Sequence, residues 1–177
     1  AQPLFKHFLR DHLANIRMWS GDFKEHQYTG EKVEVMFVDI AKSSEVNDLL
    51  LSNYFPHLIP GQSVVIQQDY LHYRTPWLIT SMELLYPKIQ MVAWTKDYSV
   101  LFKCCDQITP ADAKNASFDA LSEQQVVELM ERAKARFPFE YQREMMDLSM
   151  RAYRAKPTAR QAHAYPEMLP RRGAARA

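Results

Sequence analysis

Three aspartates each stand at the end of a short run of residues that is typical of a β-strand. Ligands of open α/β sheets bind beyond the carboxyl ends of the parallel strands, so side chains at such ends converge on one rim. Carboxylates at this rim can accept hydrogen bonds from a ligand or bind a hard cation. The aspartates are Asp22, Asp39 and Asp69, and the runs are 16–19, 33–40 and 63–67.

Asp39 and Asp69, with the neutral amide oxygen of Gln68, are candidate ligands for Mg²⁺, which prefers oxygen ligands. A metal held there would bind a substrate hydroxyl and lower its pKa. Asp39 and His72 are the candidate catalytic residues, and His72 is a candidate general base because imidazole titrates near neutral pH. The alternatives are that Asp39 begins a loop or caps the next helix, and that His72 is a solvated loop histidine.

The hydrophobic pattern predicts the elements that must position these residues. Residues 33–40 contain a continuous apolar run, as in a strand that is buried on both faces of a parallel sheet, and residues 63–67 form a second such strand. A helix is predicted after each strand. The first begins at Ser43 or Ser44, which are good N-cap residues, and the second begins at Thr75, which precedes a proline.

Two further runs, 90–95 and 99–104, are joined by a short connection that favours an antiparallel hairpin. Strands that alternate with helices predict an α/β fold with a mostly parallel sheet, helices on both faces and the hairpin at its C-terminal end. The predicted organisation is an α/β domain over 1–106, a helical extension over 107–156 and a mobile basic tail over 157–177.

The composition argues against several function classes. The net charge is +1, from 22 basic and 21 acidic side chains, so there is no global attraction to nucleic acid or to a membrane surface. No apolar run approaches the roughly 20 residues of a membrane span. The adjacent Cys104 and Cys105 are interpreted as reduced thiols, which indicates a cytoplasmic protein. The arginine-rich stretch 171–176 is too short to support nucleic-acid binding.

The sequence has only four glycines, and each stands apart from the others. Loops that bind phosphates or dinucleotides depend on clustered glycines, so a complete nucleotide-binding Rossmann domain is excluded. The sequence begins at Ala1 rather than at Met, and we expect it to start at a processing point or within a gene. The glycines are Gly21, Gly30, Gly61 and Gly173.

The segments Ile16–Phe23, Val35–Asp39 and Leu58–Tyr70 follow one another in an order that carries a family resemblance. They resemble the third strand with its Gly-Asp ending, the fourth strand with its terminal Asp, and the turn into the fifth strand of class I, Rossmann-like, S-adenosylmethionine-dependent methyltransferases. The nearest subgroup is the macrocin-type and catechol-type O-methyltransferases. In this family seven strands lie in the order three, two, one, four, five, seven, six.

The resemblance implies a fragment of a methyltransferase that acts on a small-molecule hydroxyl, such as one on a sugar, with S-adenosylmethionine and Mg²⁺ as cofactors. Gly21, Asp22 and Asp39 would bind S-adenosylmethionine, and Asp39, Gln68 and Asp69 would bind the metal. The family's glycine loop would precede residue 1, so the isolated chain is expected to be inactive. Gln68 departs from the family pattern, because an aspartate often stands at this position.

Loss of the first two strands would leave a four-stranded sheet with an open hydrophobic edge at 33–40. The strand at 16–19 would be displaced or would pair with that edge, and the same edge is a candidate surface for homo-oligomer formation. The alternative function is a non-catalytic Rossmann-like module whose strand ends serve a partner. The expected partner of the enzyme is a small-molecule acceptor, with neither nucleic acid nor membrane involved.

Overall fold

The computed structural model describes residues 6–168. Within these residues the main elements are β-strands and α-helices, joined by loops and short 3-10 turns. None of the helices in this part of the chain is long and apolar enough to cross a membrane. The strands are β1 Val35–Val38, β2 Val64–Gln67, β3 Ile89–Trp94 and β4 Val100–Cys104, and the helices are α1 Ser44–Tyr54, α2 Pro76–Leu85, α3 Pro110–Asn115, α4 Glu123–Ala135 and α5 Glu140–Ala155.

The strands form one four-stranded sheet in the order β1-β2-β4-β3. Strands β1 and β2 are parallel, with Val38 opposite Gln67, whereas β4 is antiparallel to both β2 and β3. The four predicted strands and the antiparallel hairpin are therefore confirmed, and the chain is an α/β protein with a mixed sheet. Strands β1, β2 and β3 run in the same direction, and β4, the second strand of the hairpin, alone runs against them.

The two faces of the sheet have different surroundings. Met36 and Val38 of β1 are buried in the same hydrophobic core as the apolar residues of α1 and α2. The alternate residues, Val35 and Phe37, are 65% and 61% exposed, and they mark what we call the open face. The prediction of helices on both faces is wrong for the described residues, since the helices that follow β1 and β2 pack on the same side.

The hydrophobic core is continuous from β1 to the C-terminal part of the described chain, and it crosses the predicted boundary at 106. Ala159 and Tyr165 are buried, and Gln161 forms an isolated β-bridge with Ser43. Residues 157–168 therefore pack onto the domain, which differs from the prediction of a mobile tail, because buried side chains anchor a segment with few apolar groups. The arginines of the predicted basic tail, from Arg171 onward, lie outside the described residues.

The described segment that precedes β1 contains no sheet strand. Residues 16–19, predicted as a strand, follow the 3-10 turn Arg10–Asn15 and do not join the sheet. Aromatic contacts attach the next residues to α1, since the rings of Phe23 and Tyr28 lie 6.0 Å and 4.5 Å from that of Tyr54. Of the two outcomes expected for this segment, displacement from the sheet is the one observed.

Candidate functional site

The carboxyl ends of β1 and β2 bring Asp39 and Asp69 together, as the sequence predicts. The parallel pairing of these strands places Val38 opposite Gln67, so the residues that follow leave the sheet at the same edge. The ammonium of Lys42 joins the two aspartates: its Nζ lies 3.1 Å from Asp39 Oδ1 and also donates to Asp69 Oδ2. The two carboxylates therefore share one cation.

This arrangement stabilises the protonated form of Lys42. Partial burial lowers the pKa of the Lys42 ammonium, but the hydrogen bonds and negative charges of Asp69 and Asp39 outweigh that effect. The pKa of Lys42 is consequently above its ordinary value. Lys42 is therefore an ion-paired side chain and not an isolated surface charge. We call Asp39, Lys42, Asp69 and His72 together the rim group.

The loop between β2 and α2 holds Asp69 in place through its own backbone. The hydroxyl of Thr75 donates to the carbonyl oxygens of Asp69 and His72, at 2.8 Å and 2.9 Å, instead of capping the helix that follows. The backbone N–H of Gln68 donates to the Val38 carbonyl at 3.0 Å, which ties the start of the loop to β1. The loop conformation is therefore fixed at both ends, and the position of Asp69 relative to β1 follows from it.

His72 lies half-buried between two tyrosines. Its ring stacks on Tyr73 with a centroid distance of 5.1 Å and meets the edge of Tyr98 at 5.5 Å. Burial lowers the pKa of His72; the charge of Asp69 opposes this, and those of Arg74 and Lys42 add to it. Nδ1 accepts from the backbone N–H of Arg74 at 3.4 Å, which assigns the proton of the neutral ring to Nε2. As a general base, His72 would have to give up this hydrogen bond.

The residues as arranged do not fit a divalent cation. Lys42 occupies the place between Asp39 and Asp69 that a metal would take, and two carboxylates already bound to an ammonium are poor metal ligands. Among residues 6–168 there is also no cluster of three or more His, Cys, Asp or Glu side chains suited to a metal ion. The metal site over Asp39, Gln68 and Asp69 stays a prediction that requires Lys42 to move.

None of the described contacts of Gly21 and Asp22 involves the rim group. Gly21 has a φ of +134°, a conformation that favours glycine and turns the chain before Asp22. The Asp22 carboxylate caps the 3-10 turn Phe23–Glu25 by accepting from the backbone N–H of Lys24 at 3.0 Å. Asp22 is exposed and one of its oxygens serves this turn, and the binding of S-adenosylmethionine by Gly21, Asp22 and Asp39 stays a prediction.

Two cations of the site were not singled out by sequence reasoning. Lys42 stands three residues after one strand-end aspartate, and the parallel strands predict a second aspartate at the same rim. A basic side chain at that spacing is a signal that could have been used. Arg74 gave no such signal, because its neighbours depend on the course of the loop between β2 and α2.

Comparison of the chain with protein-family models, with curated proteins and with solved structures finds no match. The comparisons therefore supply neither a family nor a function. The arguments for function come from the order of the strands and from the side chains at their carboxyl ends.

Proposed function

We propose that the chain is the C-terminal half of a Rossmann-like, S-adenosylmethionine-dependent methyltransferase domain that acts on a hydroxyl of a small molecule. The observation that carries the proposal is the position of β4 between β2 and β3. A hairpin whose strands follow each other in sequence would most simply extend the sheet outward from β2. Here its second strand is inserted next to β2, which is the order four, five, seven, six that the resemblance leads us to expect.

The exposed edge and face of the sheet support the same proposal. β1 is an edge strand; the carbonyl of Glu34, just before it, accepts from Val64 of β2, and the carbonyl of Val38 accepts from Gln68, just after β2. The alternation along a parallel strand then directs the backbone groups of Val35 and Phe37 to the free edge. The side chains of these two residues are also the exposed apolar groups of the open face. An apolar edge and face of this kind favour association with further structure.

The rim group would hold the acceptor hydroxyl. S-adenosylmethionine supplies an electrophilic methyl group in enzymes of this class. The ammonium of Lys42 would donate to the acceptor oxygen, and Asp39, whose side chain is half exposed, would accept the hydroxyl proton. Asp69, with a side chain only 18% exposed, would keep Lys42 oriented. An ammonium at this position stabilises negative charge that develops on the oxygen.

The coding sequence upstream of Ala1 gives the first test. We expect it to encode a strand, a glycine-rich turn and, about 20 residues later, a strand that ends in Asp or Glu. A longer protein that includes these residues should transfer a labelled methyl group from S-adenosylmethionine to a hydroxylated metabolite. Asp39→Asn should reduce this transfer strongly, whereas Asp147→Asn, at a half-exposed aspartate on α5 outside the rim group, should leave it unchanged. An upstream region without the glycine-rich turn would overturn the proposal.

The alternative is a non-catalytic module, and one observation favours it. Lys42 already forms ion pairs with both Asp39 and Asp69, so each carboxylate has a cationic partner without a ligand. Hydrogen exchange separates the two functions. In a half-domain, the amides of Val35 and Phe37 exchange quickly in the isolated chain and become protected in the longer protein. In a self-contained module, their exchange is the same in both.

A further inference from the structure

Arg74 is a cation of the loop between β2 and α2 that lacks an anionic partner. Its Nε is buried without a hydrogen-bond acceptor, and no carboxylate of residues 6–168 lies within ion-pair distance of it. Lys42, the other cation of this region, is paired with Asp39 and Asp69. Buried donors in folded proteins nearly always have acceptors, so the Nε of Arg74 is a donor for which the described residues supply no acceptor.

The position of Arg74 makes such an acceptor part of the candidate site. Its backbone N–H bonds to Nδ1 of His72, and its positive charge acts on the His72 ring. The guanidinium carbon lies 5.1 Å from the centroid of the Tyr73 ring, which restricts its orientation. Arg74 therefore borders the rim group.

A buried acceptor without a partner lies at the same end of β2. The Gln67 side chain is 1% exposed, and its Oε1 has no hydrogen-bond donor among the described residues. In the sequence, an unsatisfied acceptor on Gln67 precedes Asp69, and an unsatisfied donor on Arg74 follows it.

We infer that Arg74 binds an anionic oxygen group, a carboxylate or a phosphate, of the hydroxylated acceptor. The inference rests on the proposed function and narrows its substrate to hydroxy acids or phosphorylated hydroxy compounds. The guanidinium stays charged at all relevant pH values and presents paired N–H donors in a plane, which match two oxygens of a carboxylate or phosphate. Arg74 is then a specificity residue, while the rim group faces the hydroxyl to be methylated.

Titration of the full chain with inorganic phosphate or with acetate, at constant ionic strength, tests the inference. The probe is the Nε–Hε resonance of Arg74 in nitrogen-15 spectra. We expect a saturable shift, and the stronger of the two anions identifies whether phosphate or carboxylate is preferred. Arg74→Gln should weaken binding by about tenfold or more, as expected for the loss of a charge-assisted hydrogen bond. Arg154→Gln, at an exposed position of α5, should leave the affinity unchanged.

Absence of a saturable shift at Arg74 in the unmodified chain overturns the inference, whatever the fate of the variants. Equal affinity in Arg74→Gln and in the unmodified chain also overturns it. Anion binding at Arg74 without methyl transfer by the longer protein would contradict the proposed function and leave the anion site standing. Methyl transfer that proceeds equally well on acceptors without an anionic group would contradict the role of Arg74 and support the proposed function.

Discussion

The face of the sheet that packs under the helices and the open face are built from the same strands, yet they have opposite environments. On the covered face, residues such as Met36 and Val65 lie in the common core with Trp77 of α2. On the open face, Val35 and Phe37 are mostly exposed, although they are as apolar as their neighbours. The difference shows that apolar sequence alone does not tell which face of a strand is covered. Stability and association can be measured separately on the two faces.

The largest expected effect is on the covered side, at Trp77. This side chain is fully buried, its Nε1–H donates to the Ala41 carbonyl at 2.8 Å, and its ring meets the edge of Phe118. Trp77→Ala should lower the free energy of unfolding by about 4 kcal/mol, because it opens a large cavity and leaves a carbonyl unpaired. Urea unfolding measures this value. Trp19→Ala, at an exposed tryptophan, is the matched control, and equal losses in both would contradict the described burial.

A smaller loss is expected at Glu83, a buried carboxylate of α2. Arg136 binds both of its oxygens, with Nε at 2.7 Å and Nη2 at 3.1 Å, and the Glu83 side chain is only 4% exposed. Glu83→Gln removes the charge and leaves the guanidinium poorly compensated, so the free energy of unfolding should fall by about 3 kcal/mol. Asp147→Asn, which breaks the more exposed pair with Lys134, should cost below about 1 kcal/mol in the same urea experiment.

At the rim group, His72 should make the free energy of unfolding modestly dependent on pH. Burial lowers the pKa of His72 in the folded state, so the imidazole binds a proton more readily in the unfolded chain. Its contribution to stability is therefore complete above the ordinary histidine pKa of about 6.5 and declines as the pH falls below that value. His72→Asn should flatten this decline between pH 7.5 and pH 5.5. His163→Asn, at an exposed histidine, should keep it, and identical pH profiles for both variants would exclude the effect of burial.

The smallest effect on stability is expected on the open face. Phe37→Thr introduces a β-branched residue, which strands favour, and removes an exposed ring, so the free energy of unfolding should change by no more than about 0.5 kcal/mol. The same substitution should reduce concentration-dependent association of the chain, as measured by sedimentation velocity, because it removes an exposed apolar group. A loss of stability as large as that of Trp77→Ala would show that this face is covered.

Much of the secondary structure could be predicted because it depends on local residues. The apolar runs became β1 and β2, and Ser43 caps α1 by accepting from the backbone N–H of Val46. Ser122 and Gln125 form a capping box at the start of α4, which depends only on residues three apart. The run 16–19 had the same local signal but forms no strand, since a strand also requires a neighbour with which to pair.

The candidate site was only partly predictable for a related reason. The convergence of Asp39 and Asp69 follows from strand polarity, which the alternation of strands and helices indicates. The contacts of Lys42 and the lack of a partner at Arg74 depend on the paths of two loops. Charges on such loops interact over a few ångströms, so small differences in backbone path decide whether a site suits a metal, an ammonium or an external anion.

The sequence by itself determined where the strands and the main helices lie and that two aspartates end neighbouring parallel strands. These properties depend on hydrophobic periodicity, on capping residues and on the fixed polarity of the chain. Only the tertiary structure decided that helices cover one face, that Tyr165 anchors residues 157–168, and that Lys42 lies between Asp39 and Asp69. The physical reason is that burial and ion pairing require residues that are distant in sequence to meet, and no local pattern specifies which of them do.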